Sequence, residues 1–199
     1  MFLLIPAKFY PFTHAAVVSV ENGEPFVYDI SGEYKIGFND RVMDGVEGGM
    51  RRQPFLQYVS ANLYAEVIDP PAGIDGEKVA AFARAQVAKN TRFDAYFRFD
   101  EHEKLYCTEL VQLALEAGGD KPRALAEVND NASIRAGMKW LGVPPDSAAI
   151  PAAMFQDESR MVAALGRFRT RASAYAYFEA KHELYRRFQK DQRLGFLFD

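Results

Sequence analysis

Leu105-Tyr106-Cys107-Thr108-Glu109-Leu110-Val111, running on to Ala117 and Gly118-Gly119, holds the single cysteine of the chain where a helix is expected to begin. Leu110, Val111, Ala114 and Leu115 follow Cys107 by three, four, seven and eight residues, the spacing of one helical face. The cysteine therefore shares that face, and Gly118-Gly119 is the expected C-terminal stop. Two readings follow. Cys107 is either a small buried hydrophobe or a nucleophile, because the unpaired N–H groups and macrodipole of a first helical turn favour a thiolate. The largely polar residues before it predict that this end of the helix opens to solvent.

A nucleophilic thiol needs a base, and the chain has three histidines. His14 opens the small, β-branched run Ala15-Ala16-Val17-Val18-Ser19-Val20, which reads as a buried strand. Asn22-Gly23 is a hairpin signal, with Phe26-Val27-Tyr28-Asp29-Ile30 as the partner strand. In that register Asp29 lies diagonal to His14 on the same face, where its carboxylate can orient the imidazole to take a thiol proton. The alternative is a strand-edge histidine satisfied by backbone. His102, inside Glu101-His102-Glu103, reads as a solvated turn residue, and His182 as part of an exposed helix.

Elsewhere, Phe2 to Ile5 reads as a short strand, and residues 37–53, with Gly37, Gly45, Gly48 and Gly49, as a loop. Its Gly45–Gly49 part is a surface loop or a lid. Leu63 to Ile68 reads as a strand ended by Pro70-Pro71. Asp75 caps an expected helix over 76–89, and a short helix is expected near 133–140. Further helices are expected from Pro151 or Ala152 to about Leu165 and from Thr170 to Asp191.

Bulk properties narrow the field. The 199 residues, 49% hydrophobic and 26% charged, suit a domain with a sizeable core. One cysteine excludes a disulfide framework or a multi-cysteine metal site. There is no phosphate-binding glycine loop and no His-Glu-x-x-His. His14, Asp29 and Cys107 are residue types that can also ligate zinc, but without paired ligand spacing no metal and no cofactor is expected. The apolar run at Met1 to Ile5 is too short for a signal peptide and no stretch is long enough to span a membrane, so a cytoplasmic location is the default expectation. Residues 1–159 carry 15 Lys/Arg and 23 Asp/Glu, whereas 160–199 carry 9 and 4. This basic tail, interleaved with Phe168, Tyr175, Tyr177, Phe178, Tyr185 and Phe188, reads as an amphipathic helix docked on the core. Contact with an anionic polymer or lipid surface is the functional alternative, and no specific nucleic acid is expected.

The order of His14-Ala15-Ala16-Val17-Val18, then Phe26-Val27-Tyr28-Asp29-Ile30, then Tyr106-Cys107-Thr108-Glu109-Leu110-Val111 resembles the circularly permuted papain-like cysteine hydrolases, in particular the YiiX-like branch of the NlpC superfamily. Phe93-Asp94-Ala95-Tyr96-Phe97 resembles the aromatic-Asp-x-x-Phe run before the cysteine of that family. Two positions differ: the family often has Glu where Asp29 stands, and Tyr where Phe93 stands. The resemblance spans about residues 3–165. It implies an α+β fold with an antiparallel sheet packed on the cysteine helix, as a domain over 1–165, with 166–199 as a basic helical extension. It implies Cys107 as nucleophile, His14 as general base, Asp29 as orienting acid and the Cys107 N–H as an oxyanion donor. The expected activity is cleavage of an amide bond in a cell-wall or γ-glutamyl-type peptide, or another acyl-amide, through an acyl-enzyme. The alternatives are a lipid acyltransferase or deacylase resembling lecithin–retinol acyltransferase, and an inactive binding module of the same fold. Oligomeric state is not legible.

Overall fold

The computed structural model describes residues 11–34, 46–126, 132–144 and 147–191. The strand expected at Phe2 to Ile5 lies outside them, as do residues 37–45 of the expected loop. In chain order the elements are β1 (Val17–Glu21), β2 (Glu24–Tyr34), β3 (Val46–Pro54), α1 (Phe55–Ala61), β4 (Tyr64–Ile68), α2 (Gly76–Ala88), β5 (Arg92–Phe93), β6 (Lys104–Leu105), α3 (Cys107–Ala117), α4 (Ala132–Leu141), β7 (Met161–Gly166) and α5 (Arg171–Asp191).

β1 and β2 meet at Asn22-Gly23, whose φ angles of 52° and 84° are those of a two-residue hairpin turn. β2 then pairs antiparallel with β3 along its length, from Phe26 opposite Pro54 to Tyr34 opposite Val46. These strands and the short β5 and β6 form a five-stranded sheet ordered β1-β2-β3-β5-β6, antiparallel except for the parallel β5–β6 pair. β3, at its centre, corrects the loop expected over residues 46–53. Its apolar alternation is missing because its partners are polar: Arg51 bonds Asp29 and Arg52 bonds Glu21 across the strands. Its glycines are steric. A side chain at Gly48, with φ 154°, would strike the Ser31 carbonyl, and a Cβ at Gly49 would lie 2.7 Å from the Thr91 carbonyl oxygen.

The core lies between this sheet and two helices. Val17, Tyr28, Ile30 and Met50 pack with Val79 and Ala83 of α2 and with Cys107, Leu110, Val111, Ala114 and Leu115 of α3. Asp75 caps α2 by accepting from the N–H groups of Glu77 and Lys78. Every residue from Leu105 to Gln112 is buried, so the head of α3 is enclosed, contrary to the solvent-open end expected from the polar residues before it. The run after Phe93 folds over this head: the Asp94 carboxylate accepts from the N–H groups of Tyr96 and Arg98, and Ala95 and Phe97 pack with Tyr106, Met138, Val143 and Ala149.

The helix expected over 151–165 is also corrected. Two single 3₁₀ turns, at 152–155 and 158–160, lead into β7, which pairs antiparallel with β4. Local propensity favoured a helix in this Ala-rich stretch, and the partner strand, about a hundred residues earlier, overrides it. α5 docks its aromatic side: Ala174, Phe178 and Tyr185 are buried, the Phe178 ring sits 5.6 Å from Tyr64, and Tyr175 donates to Glu66. Its basic residues Arg186 and Arg187 both bond Glu183 on the same helix. Among the described residues no helix is long and apolar enough to cross a membrane.

Candidate active site

His14 stands three residues ahead of β1, and the hairpin register that sets Val17 opposite Tyr28 carries Asp29 diagonally past it. The His14 Nε2 and Asp29 Oδ1 atoms lie 2.5 Å apart. Asp29 is almost wholly buried, and its other oxygen accepts from Arg51 Nη2 at 3.0 Å. With Nε2 engaged, the second ring nitrogen remains for a thiol, and Cys107 acts electrostatically on His14. Residues 14, 29 and 107 are thus brought together from a strand approach, a strand and a helix start.

The electrostatics follow from this packing. Burial by itself lowers the affinity of His14 for a proton, but negative charge on the adjacent Cys107 and the hydrogen bond to Asp29 outweigh it and raise the ring from 6.5 to about 10. Burial tends to raise the Asp29 carboxyl, yet His14 and Arg51 hold it below its ordinary value. The imidazole is therefore held charged beside the Asp29 carboxylate. Cys107 is the first residue of α3, and the first intrahelical bond runs from the Leu110 N–H to the Tyr106 carbonyl. The N–H groups of the leading turn, that of Cys107 included, have no intrahelical acceptor.

Two neighbours were not legible in the sequence. Arg51 lay in the stretch read as a loop. Tyr58, on the seven-residue α1, has its ring centroid 6.4 Å from that of His14. Burial, and then the charges of Asp29 and Cys107, keep the Tyr58 phenol protonated well above its ordinary range. No local pattern marks Tyr58, because it reaches the site only through the turn from β3 into α1. Two cavities meet at His14. One, of about 350 Å³, has mainly apolar walls that include Phe12, Val17, Val79, Leu115 and Phe155. The other, of about 250 Å³, contains Tyr58.

The remaining histidines lie elsewhere. His182 is exposed on α5. His102 is half exposed but is no free turn residue: its Nδ1 lies 2.8 Å from an oxygen of Glu109, which is fully buried. The other Glu109 oxygen accepts from the Tyr106 N–H and so caps α3 beside the cysteine. Burial drives the Glu109 carboxyl from 4.5 to about 8, and the charges of Asp94 and Asp100 add to the rise. An acid whose folded-state value is raised stabilises the fold most below about pH 4.5 and loses that contribution as pH climbs through about 8. Glu109→Gln keeps an acceptor for Tyr106 and is expected to flatten the decline of melting temperature across this window. An unchanged slope in a pH series of thermal melts would show that Glu109 does not set it. Among the described residues there is no group of three or more His, Cys, Asp or Glu side chains arranged to hold a metal ion.

No family model matches the chain, and no curated protein does. Its fold is similar to that in the crystal structure of the metalloprotein YiiX from Escherichia coli O157:H7, with a TM-score of 0.59 over 83% of this chain and 88% of that one, at 15% sequence identity. The chain has a YiiX-like α+β fold.

Proposed function

We propose that the chain is a permuted papain-like thiol hydrolase that cleaves an amide bond, in a peptide or other acyl-amide, through an acyl-enzyme on Cys107. The observation that carries this reading is an imidazole held by Asp29 and electrostatically coupled to Cys107, the first residue of a buried helix. Asp29 fixes the ring through Nε2, and His14 takes the thiol proton, giving a thiolate–imidazolium pair. The thiolate adds to the substrate carbonyl, and the oxyanion is met by the Cys107 N–H and the Tyr58 hydroxyl. The imidazolium then protonates the leaving amine, and the C–N bond breaks to leave a thioester. Water, deprotonated by His14, adds to the thioester and releases the acid and the free thiol.

YiiX is described as a metalloprotein, but the donor set at this site does not fit a metal ion. Both Asp29 oxygens are taken up, one by His14 and one by Arg51, and the guanidinium puts a positive charge where a cation would sit.

One observation favours a second reading, acyl transfer or deacylation on a lipid. The apolar cavity beside His14 has a volume at the lower end of the usual range for ligand pockets. An anionic membrane contact through α5 belongs to that reading. An inert binding module would not require the Cys107–His14 contact. The test is to incubate the protein with peptide amides and with short- and long-chain 4-nitrophenyl esters and to look by mass spectrometry for an acyl thioester. Its formation on Cys107 is expected. Absence of any Cys107 adduct would sink both enzymatic readings. Reaction with long chains only, together with binding to anionic vesicles, would move the assignment to lipids.

A further inference from the structure

Behind Arg51 the sheet opens into a groove of about 600 Å³ between β3, β5 and β6. The strand registers put Gly49 opposite Arg92 and Arg92 beside Lys104. Cross-strand partners share a face, as do residues two apart on one strand. Arg51, Arg92 and Lys104 therefore line one side of the sheet, and Gly48 and Gly49 add no side chain to the floor. Asn90, Tyr96 and Glu47 also line it.

Arg92 and Lys104 are exposed and neither forms an ion pair within 4.0 Å among the described residues, although the charge of Lys104 acts on Asp94 at longer range. Like charges in directly paired positions repel, and a bound anion is the simplest relief of that repulsion. Two of its residues connect the groove to the candidate reactive centre. Arg51 touches Asp29, and Lys104 precedes Cys107 by three residues, a backbone span of at most roughly 11 Å.

We propose that this groove binds an anionic group, a carboxylate or a phosphate, on the molecule whose acyl bond meets Cys107. The substrate class is then an acyl-amide bearing that anion within about three residues' length of the scissile bond. This substrate assignment rests on the hydrolase reading, whereas anion binding by the groove does not.

The experiment measures binding of glutarate and of inorganic phosphate at constant ionic strength, by titration calorimetry or NMR. The proteins are the wild type, Cys107→Ala, the double variant Arg92→Gln/Lys104→Gln, and a control with the α5 surface cations exchanged, Arg186→Gln/Arg187→Gln. Saturable binding of one anion is expected in the wild type, in Cys107→Ala and in the α5 control. It should weaken by about tenfold or more in the groove variant. Preference for glutarate would identify a carboxylate, and preference for phosphate a phosphoryl group. No saturable binding by the wild type, binding unchanged in the groove variant, or equal loss in the α5 control would each overturn the proposal. Binding retained by a protein that forms no Cys107 adduct would leave the groove standing and remove the hydrolase reading.

Discussion

Turnover of an acyl-amide is expected to fall by about ten-thousandfold or more in Cys107→Ala, with a loss of similar size in His14→Ala. Neither change should unfold the protein. Alanine is the best helix former at the first position of α3, and deleting one sulfur from the core leaves a small void beside Leu110 and Tyr28. His14 lies outside β1, and its side chain is about a third exposed, so its loss opens the two cavities rather than breaking the sheet. Because thiol and imidazole act as one unit, the double variant should be little worse than either single one. Kinetics alongside thermal melts checks this. Undiminished turnover in Cys107→Ala would end the assignment, and additive losses would show that the two residues act separately.

Asp29→Asn is expected to lower turnover by about a hundredfold and to displace the alkaline limb of the pH profile toward the ordinary range of histidine. The imidazolium must protonate the leaving amine, so activity is lost as the ring deprotonates. In the wild type that limb belongs near pH 10, where the charges of Cys107 and Asp29 hold the ring. The stability linkage has the same sign: the contribution of the charged ring is fully present below pH 6.5 and disappears as pH rises through about 10. Asparagine keeps an oxygen for Nε2 but removes the negative charge, and it also leaves Arg51 without its anionic partner. Parallel pH–rate profiles of the two proteins decide the matter. A limb at the same pH in both would mean that Asp29 orients the ring without setting its charge.

Local signals specify much of this fold. The Asn22-Gly23 turn sets the pairing of β1 with β2, and pairing alone brings Asp29 diagonal to His14, because side chains on paired strands keep a fixed register. The apolar face following Cys107 specifies α3, and Asp75 specifies the start of α2. Elsewhere the determinant lies in a distant partner. β3 carries arginines and glycines because Asp29, Glu21 and the Ser31 and Thr91 carbonyls face it, and none of these is a sequence neighbour. β7 became a strand because β4 offers it an open ladder. His102 looks solvated in the sequence for a related reason: the burial of Glu109, which holds it, goes with the run after Phe93 folding over the head of α3.

The amino-acid order by itself determined the hairpin, the cysteine helix and the three side chains to watch, since turn chemistry, helical periodicity and strand register act over a few residues. Only the tertiary structure decided that the imidazole bonds Asp29 and feels Cys107, that Arg51 and Tyr58 join them, that the head of α3 is closed to solvent, and that three cations from three strands share one groove. Contact, burial and charge balance are properties of chain segments meeting from far apart in sequence, and local patterning carries no record of where those segments meet.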